Sequence, residues 1–161
     1  MKIKEGEKIP DSKVFILSNK EPKEVSLLEI IGKHKVILFG IPGAFTQTCS
    51  AKHLPSFLNS IEQIRKKNIK KIICISVNDP FVMDAWGKNH NVQDKIVMVG
   101  DSKSEFTSKI GAVVDLSARG LGSRSSRYTM LVENGVINKI SEEKMARDCT
   151  VSSAENFLKE I

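Results

Sequence analysis

The chain has 161 residues, 40% hydrophobic and 27% charged, with a net charge of +6 and three cysteines, Cys49, Cys74 and Cys149. This suits one globular domain over residues 1–161 with a proper core, and no apolar run approaches the roughly 20 residues of a membrane span. An odd number of cysteines without a CxxC pair, and three histidines without HExxH, argue against a disulfide framework and a metal centre. No metal, other cofactor or membrane partner is expected. The lysines are scattered, as at Lys66-Lys67 and Lys70-Lys71, and one Trp and one Tyr make no stacking platform. The positive charge therefore reads as solvated surface rather than a nucleic-acid interface. Met1–Glu7 lacks the apolar core of a secretory signal, so a cytoplasmic location is expected.

Taken in order, residues 1–34 read as an irregular lead-in with short strands, with turns at Pro10-Asp11 and Asn19-Lys20-Glu21-Pro22 and an apolar run at Val14–Leu17. Val25–Ile31 suits a helical turn stopped by Gly32. Lys35–Gly40 contains four consecutive apolar residues, the pattern of a strand buried on both faces. From Thr48, Leu54, Phe57, Leu58, Ile61 and Ile64 recur at helical spacing, predicting a helix to about Lys66. Pro55 within it predicts a kink near Ala51–Lys52. Ile72–Val77 is a second buried strand, and Asn78-Asp79-Pro80 opens a helix to about Asn89. Ile96–Val99 is a third strand, Ser104–Ile110 a short helix, and 114–125 a polar, glycine-rich loop. Tyr128–Val132 and Val136–Ile140 flank Asn134-Gly135, a strong hairpin signal. A last helix is expected over Ser152–Ile161, with Ser152 or Ser153 as its cap ahead of Glu155. The order β-α-β-α-β-α-β-β-α implies an α/β fold, a mixed sheet with helices on both faces.

Cys49 lies where the first buried strand gives way to a helix. Unpaired N–H groups and partial positive charge at a helix start favour thiolate over thiol. Thr46 and Thr48 supply hydroxyls able to donate to a thiolate or a bound oxygen. Thr46-x-x-Cys49 has the spacing of a thioredoxin-type CxxC with threonine at the first position, which disfavours a dithiol reductase. A lone thiolate can instead attack a peroxide O–O bond and become a sulfenate. Cys74, between Ile73 and Ile75, reads as a buried hydrophobe, and Cys149 as a loop thiol. His53, one helical turn after Cys49, reads as a structural or rim histidine rather than a catalytic base.

Pro42-x-x-x-Thr46-x-x-Cys49 fits the peroxiredoxin signature. Gly40–Thr46, Ser76–Met83 with Ala85-Trp86, Gly120–Arg124 and Val151–Glu155 each resemble the peroxiredoxin-5 subfamily, which includes the plant type II enzymes. The resemblance implies a thioredoxin-like three-layer sandwich and a thiol peroxidase acting on hydrogen peroxide and alkyl hydroperoxides in antioxidant defence and redox homeostasis. It makes Cys49 the peroxidatic nucleophile. Thr46 would bind the peroxide and thiolate, Pro42 would shield the site from water, and Arg127 would stabilise the thiolate and the breaking O–O bond. Arg124 is the second choice for that arginine. Gln47 stands where many relatives have proline. Cys149 and Cys74 are candidate resolving cysteines, but a one-cysteine cycle is favoured, with glutathione and glutaredoxin as reductant ahead of thioredoxin. A homodimer with Phe45 at its interface is expected. The alternative is a redox-sensing or chaperone-like thiol module without efficient turnover.

Overall fold

In the computed structural model, which describes residues 1–161, the lead-in is an antiparallel hairpin of β1 (Lys13–Ser18) and β2 (Glu21–Ser26). Asn19 and Lys20 turn it at φ of 50° and 67°, the left-handed backbone that a two-residue hairpin turn requires. Pro22 is tolerated because β2 is an edge strand and needs no second ladder. Val25, expected in a helical turn, belongs to β2. Helix α1 (Leu27–Ile31) starts later because the Ser26 hydroxyl accepts from the Glu29 N–H and so caps it.

The remaining strands are β3 (Lys35–Ile41), β4 (Lys71–Ser76), β5 (Val97–Gly100), β6 (Val113–Asp115), β7 (Ser123–Ser125), β8 (Tyr128–Glu133) and β9 (Val136–Glu142). The main sheet has the order β2-β1-β5-β4-β3-β8-β9. Parallel pairs join β3, β4 and β5, and every other pairing is antiparallel. Side chains alternate along β3, so Ile37, Phe39 and Ile41 face one core while Val36 and Leu38 face the other. The first core is covered by α2 (Leu54–Asn59), α3 (Ile61–Lys66), α4 (Pro80–Asn89) and, near the C-terminus, α6 (Ala154–Phe157); the second by α1 and α5 (Glu105–Lys109). The expected three layers are therefore present.

Three local expectations change. The helix read over 48–66 is a π-helical turn at Cys49–His53, then α2, then α3 after a break at Ser60. Pro55 has no N–H for the Ala51 carbonyl and its ring crowds that group, so the turn widens and the Leu54 N–H reaches Cys49 O instead. Residues 114–125 are not one loop: β6 and β7 pair around a single 3₁₀ turn at Ser117–Arg119. These strands are three residues long and largely exposed, so no period-2 pattern announces them. Helix α6 is a single turn, and neither Ser152 nor Ser153 caps it through its side chain. The Ser56 hydroxyl accepts from the Ala154 N–H instead.

Candidate active site

Strand β3 delivers the backbone into the loop 42–48. There Asn78, at the end of β4, accepts from the Ala44 N–H at 3.0 Å and from the Ser76 hydroxyl at 2.7 Å. Gly43 is confined: a Cβ there would lie 3.1 Å from both Arg124 Nη1 and Thr46 Cγ2. Phe45 takes a left-handed φ of 60° and points outward, 56% exposed. The Thr46 hydroxyl donates to Gly43 O at 2.7 Å and its carbonyl accepts from Ser50 N–H, closing the first helical turn. The Thr48 hydroxyl donates to Arg147 O at 3.0 Å. Neither hydroxyl proton is aimed at Cys49, contrary to the expectation from sequence, since both are committed to backbone carbonyls.

Cys49 itself is fully buried at the start of the π-helical turn. Its sulfur accepts from Arg127 Nη2 at 3.3 Å. Arg127 stands one residue before β8, which pairs with β3 and so returns the guanidinium to the loop that β3 launched. The same Nη2 donates to Ala146 O at 3.0 Å, and Nη1 donates to His53 Nδ1 at 3.1 Å. His53 Nε2 then carries the proton and donates to Ser152 O at 3.0 Å, an acceptor it shares with the Thr129 hydroxyl at 2.7 Å. The His53 ring lies edge-on to Phe39 and beside Phe57, which stack on each other at 4.1 Å. This dry cage and the neighbouring guanidinium hold the His53 pKa down to about 3. His53 is thus neutral and wholly interior. It is neither a rim residue nor a base for Cys49, but an anchor for Arg127.

Between β9 and α6 the chain crosses the site as a strap, residues 143–150. Glu143 Oε1 accepts from Thr150 N–H at 2.6 Å, Ser152 N–H at 2.9 Å and the Ser152 hydroxyl at 2.8 Å, and Glu143 N–H donates to Arg127 O. Cys149 is half-buried in this strap, and burial pushes its thiol up. Cys74 is interior to β4, with β3 and β5 paired on either side, and burial pushes its thiol well up. Arg124 is occupied by Leu121 O and Val77 O, so Arg127 and not Arg124 reaches the sulfur. On the other side of the turn, the Trp86 indole N–H donates to the Ser50 hydroxyl at 3.0 Å.

Pro42, Thr46, Gln47, Thr48 and Arg127 line a cleft of about 120 Å³ together with Leu116, Arg119, Leu121, Ala146 and Arg147. Sequence reasoning brought Pro42, Thr46, Cys49 and Arg127 to one place. It missed the Ser152 carbonyl, Glu143 and the two outer arginines. A backbone carbonyl leaves no signature in a sequence, and Glu143 is indistinguishable from its neighbour Glu142 without the strap.

A thiol held under a guanidinium on a sheet of this topology defines a thiol-based redox protein. The redoxin family profile matches residues 4–158. The chain is 43% identical to peroxiredoxin-2D of Arabidopsis thaliana over 157 residues, 97% of this chain and 96% of the relative. Reduced Prx3 of Vibrio vulnificus in complex with hydrogen peroxide superposes with a TM-score of 0.91 at 36% identity, covering 98% of each chain. The Plasmodium falciparum antioxidant protein, a 1-Cys peroxiredoxin, gives 0.90 at 31% identity, covering 99% of this chain and 100% of that one. The chain therefore belongs to the redoxin family and, within it, to the peroxiredoxins, which are thiol peroxidases. Its fold is thioredoxin-like.

Proposed function

We propose that Cys49 carries the peroxidase chemistry of this chain, a reading that rests on the Arg127 Nη2 contact at 3.3 Å from its sulfur. The thiolate attacks one peroxide oxygen, forming an S–O bond as the O–O bond breaks. The electron pair of that bond leaves on the other oxygen, which takes up a proton and departs as water or an alcohol, and Cys49 remains as sulfenic acid. Arg127 stabilises the thiolate and the charge developing on oxygen, in a dry site where a fixed guanidinium acts strongly. Thr46 Oγ1, its proton committed to Gly43 O, is left to accept the peroxide O–H. Pro42 walls the cleft on the loop side and limits water.

Reduction follows a one-cysteine cycle, with glutathione and glutaredoxin supplying electrons ahead of thioredoxin. Two observations support this. Cys74 lies inside a paired strand, and both Cys74 and Cys149 have thiols raised by burial, which lowers the thiolate fraction a resolving cysteine needs. The chain pairs as a homodimer through the face carrying Phe45, which is 56% exposed.

Wild type and Cys49→Ser, compared in a coupled peroxide-consumption assay and by intact mass after one equivalent of peroxide, test this reading. Wild type should turn over and gain one oxygen, then a glutathione adduct when glutathione is added; Cys49→Ser should do neither. Equal activity in the two would remove Cys49 from the reaction, and a Cys49–Cys149 disulfide would replace the one-cysteine cycle.

A further inference from the structure

We propose that the cleft beside Cys49 carries a carboxylate subsite formed by Arg119 and Arg147, so that the preferred small co-substrate is anionic; this rests on the thiol-peroxidase reading of the same site. The cleft is larger than a peroxide needs. Its 120 Å³ corresponds to roughly four waters by their share of liquid volume, whereas hydrogen peroxide has two heavy atoms. Arg127 and the catalytic loop occupy one side. The rest of the lining is apolar, Leu116, Leu121 and Ala146, or cationic, Arg119 and Arg147, and no aspartate or glutamate is among the lining residues.

These two arginines are less committed than the inner pair: Arg147 Nη2 makes only a 3.6 Å contact to the Met145 sulfur at the surface. Arg124 and Arg127 are bonded to carbonyls and, for Arg127, to His53 and Cys49. Arg119, by contrast, is exposed and has no acidic partner within 4.0 Å. Arg147 is 61% exposed, and its only acidic partner, Asp148, stands at the 4.0 Å limit. Their backbones are nevertheless fixed. The Arg119 N–H donates to Leu116 O within the 3₁₀ turn, and Arg147 O accepts from Thr48 in the catalytic loop. Two guanidinium groups are therefore presented at the mouth of a site that binds a polar oxidant. A guanidinium fork matches a carboxylate in shape and charge, and exposed cations over a cleft raise the encounter rate of anions. Leu116 and Leu121 suit a short hydrocarbon spacer between the reacting group and the carboxylate.

Either half of the cycle has such a molecule: a carboxylated alkyl hydroperoxide in oxidation, or a carboxylated thiol such as glutathione in reduction. The bonds made and broken at sulfur are unchanged in both. The test measures second-order rate constants for matched pairs. In the oxidation arm, tert-butyl hydroperoxide is set against its carboxylate analogue 3-hydroperoxy-3-methylbutanoate. In the reduction arm, glutathione is set against its diethyl ester. In at least one arm, wild type should prefer the carboxylated member by about fivefold at low ionic strength, and added salt should erode the preference. The doubly substituted Arg119→Gln/Arg147→Gln protein should lose it, while Lys20→Gln/Lys23→Gln, which removes an equal charge on the exposed, distant hairpin of β1 and β2, should keep it. Loss confined to one arm assigns the subsite to that co-substrate. Equal constants within both wild-type pairs, or a preference that survives the double substitution, overturn the proposal. The wild-type comparison and its salt dependence decide the matter even if the double variant does not fold. Failure of wild type to consume hydrogen peroxide would instead overturn the peroxidase reading.

Discussion

His53 is where burial and chemistry meet most directly. Both ring nitrogens are committed, one accepting from Arg127 and the other donating to Ser152 O, so protonation would break the contact that aims the guanidinium at Cys49. Its folded pKa of about 3 lies below the ordinary value of 6.5. The unfolded chain therefore takes up a proton that the folded chain refuses, and stability falls as pH drops through the window from 6.5 towards 3. Between pH 7 and pH 5 this one group should cost about 2 kcal/mol. Urea unfolding of wild type and His53→Gln at both pH values measures it. Wild type should lose about 2 kcal/mol more than the variant, whose amide does not titrate; matching losses would place the acid sensitivity elsewhere. From the sequence, one helical turn between Cys49 and His53 put the ring near the nucleophile. Whether it faced the cleft or the core depended on Phe39 and Phe57, which no local pattern connects to it.

At the scale of elements, β3 and β8 together make the site, and a glycine lets them. Gly40 is directly opposite Tyr128, whose ring covers it so closely that a Cβ at Gly40 would lie 2.3 Å from ring carbons. Tyr128 is fully buried and follows Arg127 directly, so displacing its ring displaces the guanidinium. Gly40→Ala should destabilise the fold by about 1–3 kcal/mol and lower peroxidase activity in the fraction that remains folded. Thermal unfolding with a parallel rate measurement checks both, and an unchanged midpoint with unchanged rate would sink the coupling. The buried strands were legible as runs of β-branched and aromatic residues, and the Asn134-Gly135 hairpin as turn chemistry. The π-helical turn was half legible: Pro55 located the disturbance, but its form depends on how Leu54 rebonds to Cys49 O. The strap was not legible at all, since it is organised by one carboxylate oxygen accepting from two backbone amides and a hydroxyl on residues seven and nine positions onward.

At the scale of the whole molecule, helices on both faces leave the sheet interior dry and the C-terminal ends of β3 and β4 free to carry function. Loop 42–48 follows β3, and Asn78 follows β4. The layer order was readable from the alternation of strand and helix patterns, while the pairing of β1 with β5 and the seating of Arg127 required the folded sheet. The lysines are scattered over the surface, whereas the grouping of Arg119, Arg127 and Arg147 at one cleft only emerges in three dimensions. Phe45, held outward by its left-handed backbone, is the exposed aromatic on which pairing would draw. Sedimentation velocity at micromolar concentration should give twice the 17.9 kDa chain mass, and Phe45→Glu should return it to the monomer. A monomeric wild type would refute the dimer. One further property comes without design. The chain has a single tryptophan, and its indole N–H is bonded to Ser50, the residue next to Cys49. If oxidation of Cys49 shifts the turn, the surroundings of that indole change with it, and the protein's own emission should follow the reaction without a label or a coupled substrate.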